Sequence, residues 1–237
     1  MRLTGFGEFK GPAGRAPKRI TLFTGHYGSG KTNIAVNYAF YLKGEGFPTA
    51  IGDLDIVNPY FRTKDSEEEL HAAGIDVISL KFANSSVDLP SLPQEAYSLV
   101  QNRARHAVLD IGGDDRGAFA LGRYTPYILE ENDFDMFYVA NFMRPLTRSP
   151  EEAFEVMQEI AAVCGIPFTG IVNNSNLAGE TTADTVLETE EKAKALSGLS
   201  GVPVVMTSCI GGLSEALSSR LSDVFPMALQ QKITDTP

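Results

Sequence analysis

Gly25-His26-Tyr27-Gly28-Ser29-Gly30-Lys31-Thr32 has the residue types and spacing needed to hold a chain of phosphates. The run satisfies G-x-x-x-x-G-K-S/T and lies between an apolar stretch that reads as a strand and an amphipathic stretch that reads as a helix. Gly25, Gly28 and Gly30 let the backbone wrap close to phosphate oxygens. The wrapped backbone points successive N–H groups toward those oxygens, and the following helix adds the positive end of its dipole. Lys31 is placed to reach the β- and γ-phosphates, and the Thr32 hydroxyl to coordinate Mg²⁺. The bland alternative is a glycine turn with an incidental Lys-Thr pair, which leaves five residues at the right spacing unexplained.

In an open α/β sheet, ligands bind beyond the carboxyl ends of the strands, so acidic side chains there come next. Asp110 closes the apolar run Ala107-Val108-Leu109 and suits a metal held through water. Asp53 and Asp55 flank Leu54 after another apolar run. Asp55, farther from the strand, is placed to position an attacking water, and Asp53 to support the metal shell or the cradle. Either carboxylate has the alternative task of capping the turn before Pro59. Thr32, Asp53 and Asp110 therefore form the expected metal set, and Lys31 and Asp55 the expected catalytic pair. Gly113 offers a backbone N–H to a γ-phosphate. The adjoining Asp114, Asp115 and Arg116 read either as a switch or dimer surface or as a solvated loop.

These groups need a scaffold, and short apolar runs alternate with amphipathic stretches in the manner of βα units, predicting an α/β fold with a mainly parallel sheet flanked by helices. The expected strands are 20–24, 49–53, 76–80, 107–111, 136–141, 169–173 and 202–207. Ile34, Tyr38 and Leu42, with Ala35 and Ala39 beside them, give the first helix one apolar stripe directed at the sheet. Ser149-Pro150-Glu151-Glu152 is a capping box that starts another helix. Leu213, Leu217, Leu221 and Val224 predict a last amphipathic helix. Residues 1–18 read as a flexible lead-in carrying Arg2, Lys10, Arg15 and Lys18, with Arg19 just after it, residues 19–226 as the nucleotide-binding domain, and residues 227–237 as a short tail. The segment 81–93 is the least regular.

A formal charge of −10 argues against broad nucleic-acid binding, which depends on Lys and Arg neutralising phosphates. No apolar run spans a bilayer and no secretory h-region opens the chain, so a cytoplasmic protein with no membrane contact is expected. Cys164 and Cys209 stand in apolar surroundings and read as packing residues, the alternative being a metal or cluster shared across a dimer. His71 and His106 have no motif around them.

Taken together, the 25–32 loop, Asp53-Leu54-Asp55, Asp110 with Gly112-Gly113, and Asn173 after Thr169-Gly170-Ile171-Val172 resemble the MinD/ParA-type ATPases of the SIMIBI class of P-loop proteins, over roughly residues 19–224. The resemblance implies a P-loop NTPase fold, with Asp55 as the water-positioning carboxylate and Asn173 as the amide that reads the adenine edge. Gly25, Gly28, Ser29, Gly30, Lys31, Thr32, Gly113 and Asn173 are then the nucleotide-binding set, with ATP and Mg²⁺ bound and ATP hydrolysed to ADP and phosphate. The family's loop often carries a second lysine that reaches across a nucleotide-sandwich dimer, and His26 stands in its place. No N/T-K-x-D guanine motif is present in Asn173-Asn174-Ser175-Asn176, which favours ATP over GTP. The expected behaviour is a slow ATPase switch, forming an ATP-favoured homodimer and read by a protein partner. A small-molecule kinase or ligase resembling dethiobiotin synthetase is the main alternative, and a nucleotide-holding module without turnover the third. Asn58-Pro59-Tyr60-Phe61-Arg62 suits either a partner surface or core packing.

Overall fold

Ile20-Thr21-Leu22-Phe23-Thr24 is buried at every position, which suits a strand at the centre of a sheet covered on both faces. The computed structural model describes residues 6–54, 66–79, 94–113 and 121–229. The readings at Asp55, at 58–62, at 81–93 and at Asp114, Asp115 and Arg116 fall outside those residues. Eight strands form one sheet: β1 (Ile20–Thr24), β2 (Thr49–Leu54), β3 (Asp76–Ser79), β4 (His106–Ile111), β5 (Phe134–Ala140), β6 (Gly170–Asn173), β7 (Val204–Ile210) and β8 (Val224–Met227). Their order is β3-β2-β4-β1-β5-β6-β7-β8, with every pairing parallel.

Alternation along the strands divides the apolar side chains between two cores. Leu22, Leu109 and Tyr138 point to one face. There they meet α3 (Gln94–Gln101), α4 (Thr125–Glu131), α5 (Pro150–Cys164) and α6 (Ala183–Ser200) through Leu99, Ile128, Met157 and Leu196. Phe23, Val108, Phe137 and Val172 point to the other, against Ile34, Tyr38 and Leu42 of α1 (Lys31–Gly44). The expected stripe on α1 is therefore the one that faces the sheet. α2 (Glu67–Ala72) precedes β3, and α5 begins with the expected capping box, in which Ser149 and Glu152 each satisfy the other's backbone N–H. Among the described residues no helix is long and apolar enough to cross a membrane.

Two expectations change. The last helix stops early: α7 covers only Ser214–Ser218, and Val224 begins β8. Asp223 has φ 58°, outside the helical region, and Pro226 has no N–H to extend a helical ladder. The leucines still pack, because Leu213 and Leu221 lie against a small cluster of Val186, Cys209, Leu217 and Val224. Strand β8 lies at the sheet's edge. Asp223 turns its carbonyl to the Thr207 N–H of β7, so Pro226, an odd number of residues on, faces away from β7. Just past the strand, Asn37 of α1 replaces a strand partner, its amide exchanging two 2.9 Å hydrogen bonds with the backbone of Ala228.

The lead-in also differs from a solvated tail. Phe9 packs against Tyr41 and Phe225 at ring-centroid distances of 5.0 and 4.9 Å, and Phe6 stacks on Phe225 with the planes 7° apart. Arg15 donates to Asp135 of β5 at 2.6 Å. Two aromatic residues in a glycine-rich stretch have no periodicity to reveal them, although each carries a large apolar area. Phe9→Ala is expected to lower the unfolding free energy by about 3 kcal/mol in urea denaturation, the usual range for truncating a buried Phe. A loss below about 0.5 kcal/mol, the scale of a surface change, would mean that this strap does not hold the fold.

Candidate functional site

β1 runs out of the sheet's centre into the glycine loop, and α1 starts at Lys31 with no side chain capping it. Gly30 is the residue before the helix and has φ 89°, a left-handed conformation that favours glycine. A Cβ there would lie 2.3 Å from Asn174 Nδ2. On the other flank the loop is closed by the chain leaving β4: a Cβ on Gly113 would lie 2.0 Å from the Gly25 carbonyl oxygen. The loop is thus held between the ends of β4 and β6, with Ser29, Lys31 and Thr32 buried in its floor.

The carboxylates arrive by strand parity. Ile51 of β2 and Val108 of β4 both lie in the α1-side core, so Asp53 and Asp110, two residues further on, emerge on that same face. They are direct register partners, and Asp110 is also paired with Phe23 of β1, one residue before the loop's first strand-end residue Thr24. Asp110 is almost fully buried, and Lys31, Asp53 and Asp110 are each engaged in polar or electrostatic contacts within the protein. Among the described residues no three His, Cys, Asp or Glu side chains cluster as a closed metal site. The Thr32 hydroxyl in the first turn of α1 and the carboxylates at the ends of β2 and β4 are all oxygen donors. This fits Mg²⁺, which keeps several waters and takes its remaining ligands from phosphate. Gly113 stands at the loop's edge, against the Gly25 carbonyl.

Asn173 is brought elsewhere. It shares a face with Ile171, on the side of α6, and is fully buried. Its Nδ2 donates to Thr189 Oγ1 and to Glu190 Oε2, both at 3.3 Å, while its Oδ1 accepts from the N–H and hydroxyl of Ser175. In this arrangement the amide is occupied within the protein rather than turned to the loop. The next residue reaches the loop instead: Asn174 Nδ2 donates to the Ser29 carbonyl at 2.6 Å, and its Oδ1 accepts from Ser208 Oγ at 2.6 Å. A trans peptide points its carbonyl and N–H in opposite directions, so this bond aims the Gly30 N–H away from Asn174 and into the cradle. A second residue that sequence reasoning passed over is Arg144, whose Nε–H donates to the Gly28 carbonyl at 3.0 Å. His26 turns Nδ1 to the Tyr27 carbonyl at 2.9 Å, a bond that needs the proton on Nδ1, while Tyr27 is 54 % exposed. Cys164 and Cys209 are buried, and burial pushes their thiols up to about 11 and about 12, as suits packing residues.

No protein-family model matches the sequence, and no curated protein matches it. Solved structures do resemble it. The cell division protein FtsY of Thermotoga maritima aligns with a TM-score of 0.55 at 14 % identity, over 85 % of this chain and 65 % of that one. FtsY of Mycoplasma mycoides aligns with a TM-score of 0.51 at 16 % identity, over 87 % and 64 %. FlhF complexed with GTP/Mg²⁺ aligns with a TM-score of 0.50 at 13 % identity, over 81 % and 66 %. The chain therefore spans less than two thirds of the length of each. At these identities the likeness shows the fold alone, a mainly parallel sheet flanked by helices.

The packing of Asn174 on Gly30 has a measurable consequence. Gly30→Ala should cost about 2–3 kcal/mol of stability, combining left-handed strain with displacement of the Asn174 amide. In the Gly30→Ala/Asn174→Ala double variant part of that cost disappears, because the obstructing amide is gone. Urea unfolding of the four proteins gives the coupling, and strictly additive losses would show that the two residues do not press on each other.

Proposed function

We propose that the chain is a Mg²⁺-dependent ATP-binding switch that hydrolyses ATP slowly, in the manner of MinD/ParA-type proteins. The observation that carries this reading is the placement of Lys31, Thr32, Asp53 and Asp110 on one face around the glycine loop, at the ends of β1, β2 and β4. Lys31 would draw the β- and γ-phosphate oxygens into the loop while the Gly30 N–H and the first amides of α1 hold them. Thr32 would hold Mg²⁺ directly, with Asp53 and Asp110 completing its water shell; bound there, the ion offsets charge on the phosphate oxygens. Asp55, two residues beyond Asp53, would orient the attacking water, and the Gly113 N–H would contact the γ-phosphate.

Adenine is favoured by what the end of β6 lacks. Guanine presents N1–H and N2–H donors that call for a carboxylate, and Asn173-Asn174-Ser175-Asn176 provides amides and a hydroxyl. The GTP in the FlhF structure is the reason to measure both nucleotides. The same reading has ATP favouring a homodimer whose surface is built from the loops beside the γ-phosphate, a protein partner that senses it, and a cytoplasmic setting.

Calorimetry with Mg²⁺ is expected to give tight ATP binding, weaker GTP binding, and a loss of at least about tenfold in affinity for Lys31→Ala, which removes the cation aimed at the β- and γ-phosphates. Equal affinity of wild type and variant would remove the phosphate-site assignment. Asp55→Asn should leave ATP binding nearly intact and slow single-turnover hydrolysis by ~10²-fold, the scale of a lost acid–base group. Sedimentation of that variant should show dimer with ATP and monomer with ADP. Formation of ADP only when a small-molecule acceptor is added would replace the switch with a kinase or ligase.

A further inference from the structure

The connection between β5 and α5 is tied down along most of its length. The Phe142 N–H donates to Ser175 Oγ at 3.0 Å and the Met143 N–H to Asn141 Oδ1 at 3.0 Å. The Asn141 carbonyl accepts from the Arg144 N–H at 3.2 Å and from Thr147 Oγ1 at 2.7 Å. Arg148 and Ser149 donate their N–H groups to Glu152, and Lys192 of α6 donates to the Arg148 carbonyl at 2.9 Å. A loop bonded in this way presents its side chains from a fixed base, so the position of Arg144 is set by the fold and only its rotamers remain free.

From that base Arg144 crosses to the glycine loop. Its Nε–H takes the Gly28 carbonyl, and the N–H of the same peptide, that of Ser29, donates to the His26 carbonyl at 3.0 Å. The Gly28–Ser29 peptide is thereby held at both ends. A guanidinium carries five N–H donors, and the bond to Gly28 is the single hydrogen bond that the Arg144 side chain makes among the described residues. The terminal amino groups remain available beside the cradle. A Cβ on residue 28 would lie 3.7 Å from Arg144 Nε and 3.9 Å from its Cδ, ordinary van der Waals contact, so the arginine lies directly over the loop. Within 25–32 itself Lys31 is the one fixed cation, and position 26 holds a histidine committed to the Tyr27 carbonyl.

We infer that Arg144 is the second cation of the phosphate site. It acts as a positioning residue that fixes the Gly28–Ser29 peptide and sets a full positive charge against the nucleotide's phosphate tail from outside the glycine loop. The inference rests on the nucleotide-binding reading above. Arginine suits the task because its charge survives any physiological pH, and its fork can grip a carbonyl with one N–H while turning the others to a phosphate oxygen.

The test measures affinity for the β,γ-imido analogue of ATP with Mg²⁺, by calorimetry at low and at high salt, for wild type, Arg144→Ala, Arg144→Lys and Arg144→Gln. Arg144 is exposed and belongs to neither core, and thermal melts check that each variant stays folded. Arg144→Ala should weaken binding by about tenfold at low salt, and the gap should narrow at high salt, since an exposed charge is screened. Arg144→Lys should recover part of the low-salt loss by restoring charge, and Arg144→Gln should recover less. Wild-type affinity in Arg144→Ala, alongside weakened binding in Lys31→Ala, would overturn the role of Arg144 and leave the nucleotide reading intact. A loss indifferent to salt and unrelieved by lysine would overturn the cationic role. Failure of the wild type to bind any nucleoside triphosphate would overturn both readings.

Discussion

Close backbone approach at the carboxyl ends of four neighbouring strands is the constraint from which the site follows. The Gly25 carbonyl occupies the space that a side chain at position 113 would need, and the Asn174 amide occupies the space beside Gly30. Such contacts are possible only because β1 lies between β4 and β5, with β6 next in line. The chain builds outward from β1 in one direction through β2, β3 and β4 and then in the other through β5 to β8. A crevice therefore opens where the order reverses, above β1. The glycine loop fills the base of that crevice, and the ends of the flanking strands supply its walls.

Parity along the strands then decides which polar residues share the crevice. Asp53 and Asp110 follow Ile51 and Val108 onto the α1 side, and Asn174 follows Val172 there, while Asn173 follows Ile171 to the opposite side. The loop, its lysine and threonine, and the acidic strand ends were legible because each is a local pattern with a local mechanism. Which of two adjacent asparagines faces the loop was not, since it depends on how β6 is rotated against α1. Arg144 left no signal for a related reason: its importance comes from a loop folding back onto Gly28, 116 residues earlier in the chain. Strand β8 was hidden by the four-residue spacing of Leu213, Leu217, Leu221 and Val224, which a helix and a folded-back turn with a strand can both produce. There the left-handed Asp223 and the proline overrule periodicity.

The amide of Asn173 serves the site at one remove. Glu190 is largely buried in α6, and its Oε2 accepts from Thr207 Oγ1 at 2.8 Å as well as from Asn173. Asn173 in turn accepts from Ser175, and the Ser175 hydroxyl oxygen accepts from the Phe142 N–H. A carboxylate in such surroundings requires several donors to offset the loss of water, and the strand ends provide them. The result is a continuous polar path from α6 to the loop that carries Arg144. Exchanging Asn173 for an apolar residue would disturb the mounting of that loop.

Pro226 has a consequence for how copies of this protein can meet. A parallel sheet that ends in an exposed strand is a template on which another chain can add a strand, in a fibre as readily as in a complex. At the β8 end the outward face of residue 226 is a pyrrolidine ring with no hydrogen to donate, and the backbone just beyond it is already taken by Asn37. Among the described residues that border therefore offers fewer free backbone donors to an added strand.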